Sequence, residues 1–316
     1  MKVAALAGGT GAAKLLRGLA AGLGRGQLTV VANTGDDADI WGLHVSPDVD
    51  TVTYALAGRL DAERGWGLAG ETFRCLEAMA GLGGETWFNL GDRDLATHLY
   101  RTRRLRAGAS LSVVTDEIAG RLGVRARILP MSDDAIRTRI RTPHAAGGEV
   151  WLGFQEYFVR EKALVEVLEV AYEGAARARP APGVLEALAH ADLVVVCPSN
   201  PVTSIGPILA VPGVVEALAA VRATVIGVSP IVGGAPVSGP AGRLMHARGL
   251  PVSPVGVAAA YAPWLDALLI DPRDASCAPA LRERGVAPVV TDVMMPDGPR
   301  EVALAQVVLR HRRQET

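Results

Sequence analysis

Cysteine is scarce in this chain of 316 residues. The three cysteines, Cys75, Cys197 and Cys277, are odd in number and lie far apart in the sequence. They predict neither a disulfide framework nor the paired spacing of a zinc site, and they fit a reducing cytoplasm. None of the six histidines has a partner at zinc-site spacing either.

An excess of charge of one sign is also lacking, because 32 Lys and Arg residues nearly balance 33 Asp and Glu residues. This balance excludes a chain-wide basic footprint for nucleic acid. Long hydrophobic runs are absent too, since glycines from Gly8 break the apolar start and prolines interrupt the uncharged stretch 249–265. We therefore expect a cytoplasmic protein with no signal peptide, membrane span or nucleic-acid partner.

Hydrophobic residues make up 49% of the chain, enough to bury a large core. The apolar run 3–7 ends in glycines, leucines at helical spacing follow, and a second β-rich run covers 28–32. This order predicts a βαβ unit with parallel strands. The same alternation of predicted strands and helices returns late in the chain, where 193–197 is the most apolar strand.

We predict an α/β fold with a doubly wound, mostly parallel, Rossmann-like sheet in three α/β/α layers. Residues 1–50 and 184–316 form this core, and residues 51–183 form an inserted subdomain. The insertion is mainly helical up to residue 123, with 111–122 the clearest helix. An antiparallel β-meander follows, with strands predicted at 124–129, 136–142 and 149–159.

The first glycine cluster could bind a phosphate at the turn from strand to helix. Its residues are Gly8, Gly9, Thr10, Gly11 and, one helical turn further, Lys14. The cluster is not a P-loop, and Lys14 stands where a dinucleotide fingerprint needs its third glycine. The alternative is tight packing of the helix against the strand.

Five aspartates fall within fifteen residues after the second strand: Asp36, Asp37, Asp39, Asp48 and Asp50. Carboxylates at the carboxyl end of a parallel strand form a plausible magnesium site, completed by substrate phosphate. The alternative for each single aspartate is helix capping or turn formation.

Two further segments carry polar groups at predicted element ends. In the segment 88–98, Arg93 could clamp a phosphate or carboxylate beside Asp94 and His98, or the charges could form a solvated surface. Ser199 and Asn200 follow the most apolar strand, where open α/β sheets bind ligands, although a plain turn is the alternative. We interpret 154–157 as an edge strand.

The ordered set of clusters resembles the 2-phospho-L-lactate transferase (CofD-type) family of coenzyme F-420 biosynthesis. The stretches that carry the resemblance are 8–11, 33–37, 46–51, 91–98 and 198–209. The resemblance implies a magnesium-dependent enzyme that moves a phosphorylated three-carbon acid from a guanosine diphosphate-linked donor. The acceptor would be the ribityl hydroxyl of the deazaflavin Fo, and GMP would leave.

The resemblance also implies roles for individual residues. The glycine cluster with Lys14, Ser199 and Asn200 would hold the guanosine diphosphate part. Asp36 and Asp50 would hold magnesium or orient the attacking hydroxyl, and Asp48 would be a reserve magnesium ligand. Asp50, Asp36 and Arg93 would be catalytic. Asp50, Asn89, Asp92 and His98 would contribute to substrate binding, and Asp50 with Asn89 would face the ribityl chain.

Two alternative functions stay open at this point. A non-catalytic nucleotide-sugar-binding regulator of the gluconeogenesis-factor type shares the opening glycine turn, whereas stretches 48–51 and 91–98 fit the transferase pattern. A nicotinamide oxidoreductase is disfavoured by Lys14. For the transferase, the sequence leaves open whether the transferred acid is lactyl, enolpyruvyl or glyceryl and whether the chain forms a homodimer.

Overall fold

The computed structural model describes residues 1–144 and 146–311. Its strands are β1 (Val3–Ala7), β2 (Leu28–Ala32), β3 (Ala38–Ile40), β4 (Leu43–Val45), β5 (Arg127–Pro130), β6 (Arg137–Pro143), β7 (Glu149–Gly153), β8 (Glu169–Glu173), β9 (Leu193–Val196), β10 (Thr224–Val228), β11 (Ile231–Val232), β12 (Ala235–Pro236), β13 (Ala267–Ile270) and β14 (Ala287–Val290).

Its α-helices are α1 (Gly9–Gly22), α2 (Pro47–Leu56), α3 (Arg74–Gly81), α4 (Asp92–Arg106), α5 (Leu111–Arg121), α6 (Val184–Ala189), α7 (Gly206–Leu209), α8 (Val214–Ala220), α9 (Ala241–Ala247), α10 (Pro254–Ala260), α11 (Ala278–Glu283) and α12 (Gly298–Arg310). Two short π-helical segments cover Glu156–Arg160 and Pro201–Ile205. Two 3-10 segments cover Ala175–Arg177 and Pro272–Cys277.

The central sheet has seven strands in the order β14-β13-β10-β9-β1-β2-β5. Every neighbouring pair in it is parallel. From β1 the chain proceeds outward through β2 to β5, and from β9 it proceeds in the other direction through β10 and β13 to β14. The order therefore reverses between β1 and β9, and ligands of open α/β sheets bind outside the carboxyl ends of the strands at such a point.

Strand β1 shows why the sheet needs a helical layer on each face. Ala4 and Leu6 belong to one hydrophobic core and Val3, Ala5 and Ala7 to the other, because side chains alternate between the faces of a strand. Helices α1, α2 and α12 cover the face of Val3. Helices α6, α8 and α10 contribute to the core on the opposite face. The predicted Rossmann-like, three-layer fold is confirmed.

The predicted meander is partly wrong. Strand β6 pairs antiparallel with β7 and with β8, but 124–129 does not join them. Instead, β5 pairs parallel with β2 at the edge of the central sheet. An edge strand exposes alternate polar side chains, so its pattern is the same as that of a meander strand. The division of the chain at residues 51 and 183 stays a prediction.

The interpretation of 154–157 as an edge strand is also wrong. β7 ends at Gly153, and the chain turns into the π-helical segment at Glu156. The physical reason is local, because the Glu156 carboxylate accepts a hydrogen bond from the Gly153 N–H at 2.7 Å and so stabilises the turn. Alternating apolar and polar residues alone did not reveal this stop.

Helices α2 to α5 confirm the helical character predicted between residues 51 and 123. Helix α5 covers Leu111–Arg121, and the Ser110 hydroxyl accepts a hydrogen bond from the N–H of Val113 at its N-terminus. Within residues 1–144 and 146–311, no single helix combines the length and apolarity needed to cross a bilayer. One helical pair, Pro201–Leu209 with Val214–Ala220, meets that test jointly but is bent by 86°.

Candidate functional site

The carboxyl ends of β1, β2, β9 and β10 open into one cavity of about 680 Å³ at the switch point of the sheet. Segments that follow each of these strands line the cavity. They bring together the glycine cluster, the aspartate cluster and the pair Ser199 and Asn200. The predicted residues among the lining are Gly8, Gly9, Thr10, Gly11, Lys14, Asp36, Asp48, Asp50, Asn89, His98, Ser199 and Asn200. One cavity therefore holds a glycine turn, several carboxylates and a serine–asparagine bend.

Glycines form the turn between β1 and α1 because neighbouring atoms leave no room for side chains. A Cβ on Gly8 would overlap the Asp48 carboxylate, and a Cβ on Gly11 would overlap the carbonyl oxygen of Pro198. Gly9 has a φ of 73°, a conformation that favours glycine. The N-cap residue Gly8 makes no side-chain capping hydrogen bond, and the Gly9 N–H donates to the Asp48 carboxylate. The other N–H groups of the first turn are suited to an anion.

Hydrogen bonds connect the three clusters to one another. Asp48 accepts one from the Gly9 N–H at 2.8 Å and one from the Asn33 amide at 2.9 Å. The same Asn33 amide donates to the carbonyl of Thr203 at 3.1 Å. The Gly8 N–H donates to the Ser199 hydroxyl at 3.2 Å. These contacts cross three strand ends and fix the wall of the cavity.

Asp36 and Asp48 carry negative charge that the described side chains leave poorly compensated. Burial raises the pKa of Asp36 well above its usual value, and the nearby Asp48 carboxylate raises it further. Burial also raises the pKa of Asp48, to about 6, against the lowering effect of its hydrogen bonds from Asn33 and Gly9. Asp36 Oδ1 is buried and has no hydrogen-bond partner among the described residues. Such a pair suits a cation.

Asp37 has one buried oxygen, Oδ1, without a hydrogen-bond partner among the described residues, but its other oxygen has two close contacts. Its Oδ2 accepts a hydrogen bond from the Ser46 hydroxyl at 2.8 Å and lies 2.8 Å from His44 Nε2. Asp37 does not line the main cavity. It lines a second, smaller cavity of about 240 Å³, which Asp36 also lines.

Asp50 lies in a different electrostatic environment, because both its oxygens contact the guanidinium of Arg101. Burial raises the pKa of Asp50, and the Arg101 charge opposes that rise. For Asp94, burial would also raise the pKa, but its hydrogen bond and charge interaction with His98 lower it overall. One potential ligand atom from each of Asp50, Asp94 and His98 lies within 4.8 Å of the other two.

Asp92 and Arg93 do not reach the cavity. The Asp92 carboxylate accepts hydrogen bonds from the N–H groups of Arg74 at 3.2 Å and Cys75 at 3.0 Å, at the start of α3. Arg93 is exposed and donates to the carbonyl of Ala69 at 3.0 Å. Their predicted binding and catalytic roles therefore have no support in the geometry.

Two other predicted residues line the cavity but also have structural partners. Lys14 Nζ donates to the carbonyl of Met295 at 3.0 Å, and this contact connects α1 to the loop before α12. The Asn200 side chain accepts hydrogen bonds from the N–H groups of Val202 at 2.9 Å and Thr203 at 3.4 Å. Asn200 therefore also caps the π-helical segment that follows.

Sequence reasoning missed Tyr54 and Arg101 as site residues. Tyr54 lines the cavity four residues after Asp50, and Arg101 lies three residues after His98 on α4. Helical spacing from Asp50 could have found Tyr54, whereas Arg101 is one of several arginines on α4. Sequence reasoning also missed two aromatic residues of the cavity lining, Phe154 and Phe158, whose rings stack at 5.6 Å between centroids.

A doubly wound α/β sheet with a glycine turn and several carboxylates in one cavity at its switch point defines a Rossmann-like α/β protein. The family model described as 2-phospho-L-lactate transferase CofD matches residues 3–308. The chain belongs to this family.

Individual relatives match over nearly their whole length. The chain is 46% identical over 312 residues to the phosphoenolpyruvate transferase of Kitasatospora aureofaciens, covering 98% of this chain and 97% of the relative. It is 43% identical over 304 residues to the 2-phospho-L-lactate transferase of Methanosarcina acetivorans, covering 96% and 97%. It is 42% identical over 315 residues to the phosphoenolpyruvate transferase of Thermobifida fusca, covering 96% of each.

Among solved structures, the chain is similar to protein BH3568 of Bacillus halodurans, described as a member of the UPF0052 family. In one crystal structure of that protein the TM-score is 0.63 at 19% sequence identity, with 98% of this chain and 99% of the other covered. A likeness at this level of identity concerns the fold alone.

Proposed function

We propose that this chain transfers a phosphorylated three-carbon acid from a guanosine diphosphate-linked donor to the ribityl hydroxyl of the deazaflavin Fo and releases GMP. The observation that carries the proposal is the meeting of glycine turn, carboxylates and serine–asparagine bend in one cavity. Family membership and the names of relatives at 42 to 46% identity support the transferase role in coenzyme F-420 biosynthesis.

The donor's pyrophosphate would lie against the glycine turn. The first-turn N–H groups of α1 after Gly9, whose own N–H donates to Asp48, would supply donors there, and the dipole of this 14-residue helix favours negative charge at its N-terminus. Lys14 would add a positive charge one helical turn further along, and Ser199 and Asn200 would contact the donor from the neighbouring strand end. Phosphoryl transfer depends mainly on such positioning and charge neutralisation.

The residues present fit a magnesium ion beside the pyrophosphate. Asp36 and Asp48 are the proposed ligands, because they offer hard carboxylate oxygens and Asp36 Oδ1 has no other partner among the described residues. Asp50, the third predicted ligand, already has its charge balanced by Arg101. When bound, the ion would neutralise the charge that develops on the phosphate oxygens.

Asp50 would accept a hydrogen bond from the attacking hydroxyl and orient it, with Asn89 facing the ribityl chain from the other wall. The hydroxyl oxygen forms a bond to the phosphorus that carries the three-carbon acid. The bond between that phosphorus and the bridging oxygen breaks, GMP takes the electron pair, and the hydroxyl proton passes to solvent water. No covalent enzyme intermediate is required.

The regulator of the gluconeogenesis-factor type is not favoured. The family match covers residues 3–308, and the relatives of this chain are named as transferases. The likeness to the UPF0052 structures extends to the fold only.

The decisive experiment incubates the purified chain with Fo, Mg²⁺ and either the lactyl or the enolpyruvyl guanosine diphosphate donor. We expect GMP release that depends on Fo, and a product whose mass identifies the transferred acid. Omitting Fo is the control. Absence of GMP release with both donors, together with UDP-sugar binding, would support the regulator instead. Full activity in excess EDTA would refute the metal assignment but not the transferase function.

A further inference from the structure

Arg101 is an arginine that the protein buries completely. It is 1% exposed, and it does not line the cavity. Its Nη1 donates to Asp50 Oδ2 at 3.0 Å, and its Nη2 donates to Asp50 Oδ1, so the pairing is bidentate. Charged side chains are seldom buried in this way unless they are paired, because removing them from water is costly.

The surroundings of this pair are polar and equally buried. His98 Nδ1 lies 3.3 Å from Arg101 Nη1 and 3.7 Å from Asp50 Oδ2. His98 Nε2 lies 3.4 Å from Asp94 Oδ1, which accepts a hydrogen bond from the Tyr54 hydroxyl at 2.5 Å. The Arg101 guanidinium also donates to the carbonyl of His44 at 3.4 Å. Helices α2 and α4 thus share one network.

The network has a cavity side and a protein side. Asp50, Tyr54, Asp94 and His98 all line the cavity, whereas Arg101 lies behind them. A bidentate guanidinium restricts both the position and the rotation of the carboxylate that it holds. Arg101 therefore determines how Asp50 is presented to whatever occupies the cavity.

We propose that Arg101 is a positioning residue for group transfer, which acts by fixing Asp50 and balancing its charge. This inference rests on the proposed function, in which Asp50 orients the attacking hydroxyl. It also accounts for different roles of the carboxylates in the cavity. Asp50, whose charge Arg101 balances, orients the acceptor hydroxyl, and Asp36 and Asp48 hold the cation.

The test compares Arg101→Met and Arg101→Lys with Arg104→Met, using steady-state transfer with Fo and the active donor. Arg104 is the matched control, because it lies on the same helix and pairs with a carboxylate, Glu117, outside the cavity. We expect Arg101→Met to lower kcat about 100-fold, the order expected for a misplaced reacting group, while the donor KM changes less than about threefold. Arg101→Lys should recover part of the loss, and Arg104→Met should match the wild type.

A double-mutant cycle shows whether Arg101 acts through Asp50. In an Asp50→Asn background, Arg101→Met should lower kcat less than about threefold further, because the carboxylate that Arg101 holds is gone. Arg101→Met alone leaves the buried Asp50 carboxylate without its partner and so can prevent folding. The double variant removes both buried charges, so its kcat can still be compared with that of Asp50→Asn. Equal losses in both backgrounds would overturn the proposal, as would wild-type kcat in Arg101→Met. If the wild-type chain itself fails to release GMP, the proposed function has failed instead.

Discussion

At the scale of single residues, Asp36 is a buried carboxyl group that forms no ion pair with any of the described residues. Its Oδ1 is buried without a partner among the described residues, and burial and Asp48 hold its pKa well above the usual value. A buried group of this kind lowers stability unless something binds to it. Proteins commonly accept such a cost at functional sites.

We predict that Asp36→Asn melts at a higher temperature than the wild type in metal-free buffer at pH 8. Relief of about 1 kcal/mol would raise Tm by about 1.5 °C in a chain of 316 residues. Magnesium should stabilise the wild type by mass action and should have little effect on the variant. The measurement is differential scanning calorimetry with and without MgCl₂.

Asp39→Asn is the control for this experiment, since Asp39 is an exposed aspartate of the same acidic segment. It should leave both Tm and the magnesium response unchanged. An Asp36→Asn variant that gains as much Tm from magnesium as the wild type does would remove Asp36 from the proposed ligands.

Residue types near strand ends could be predicted from the sequence, but long-range partners could not. Asp36 follows β2 closely, so the rule for parallel sheets places it at the cavity, whereas Asp48 lies after the β3–β4 hairpin at the start of α2. Arg101 pairs with Asp50 across 51 positions in the chain, and no local pattern distinguishes it from the exposed arginines beside it on α4. Asp92 and Arg93 show the opposite case, since adjacency in the sequence did not bring them into the cavity.

At the scale of elements, α1 must approach two neighbours through glycines. Gly11 contacts the Pro198 carbonyl at the cavity, and Gly18, two turns later, contacts the Glu301 carbonyl on α12. A Cβ at either position would overlap a backbone oxygen. The two positions therefore impose the same steric demand at different distances from the site.

We predict that Gly11→Ala and Gly18→Ala both lower Tm but differ in donor binding. Gly11→Ala should displace the turn from the 198–200 bend and weaken GDP binding at least about tenfold, because misplaced N–H groups lose their phosphate contacts. Gly18→Ala should bind GDP like the wild type. Isothermal titration with GDP and Mg²⁺ measures both, and equal losses in the two variants would contradict a specific role for the turn.

Element identity was predictable where the pattern was strong and ambiguous where it was not. Continuous apolar runs identified β1, β2 and β9 because strands buried on both faces carry few polar residues. Strand β5 was assigned to the wrong sheet because an edge strand alternates like a meander strand. The π-helical segment after β7 depends on the contact of Glu156 with Gly153, which periodicity does not report.

At the scale of the whole molecule, the cavity is assembled from segments far apart in the sequence. The β1–α1 turn, residues of the bend and π-helical segment in 198–204, and the loop 293–296 before α12 all line it. The Lys14 ammonium, which donates to the Met295 carbonyl, connects the first of these segments to the last. A ligand that contacts several such segments stabilises the whole arrangement, because their separate opening is suppressed when it is bound.

We therefore predict that GDP with Mg²⁺ slows amide hydrogen exchange in three separate segments, 9–15, 198–205 and 293–297, and not at one loop alone. Helix α6 is the internal control, because it packs into the core opposite α1 and does not line the cavity. Its exchange should be unchanged on the timescale of local opening. Slowed exchange confined to the glycine turn would mean that the nucleotide binds at α1 without bridging the sheet ends, and the shared cavity would then lose its proposed role as a single binding site.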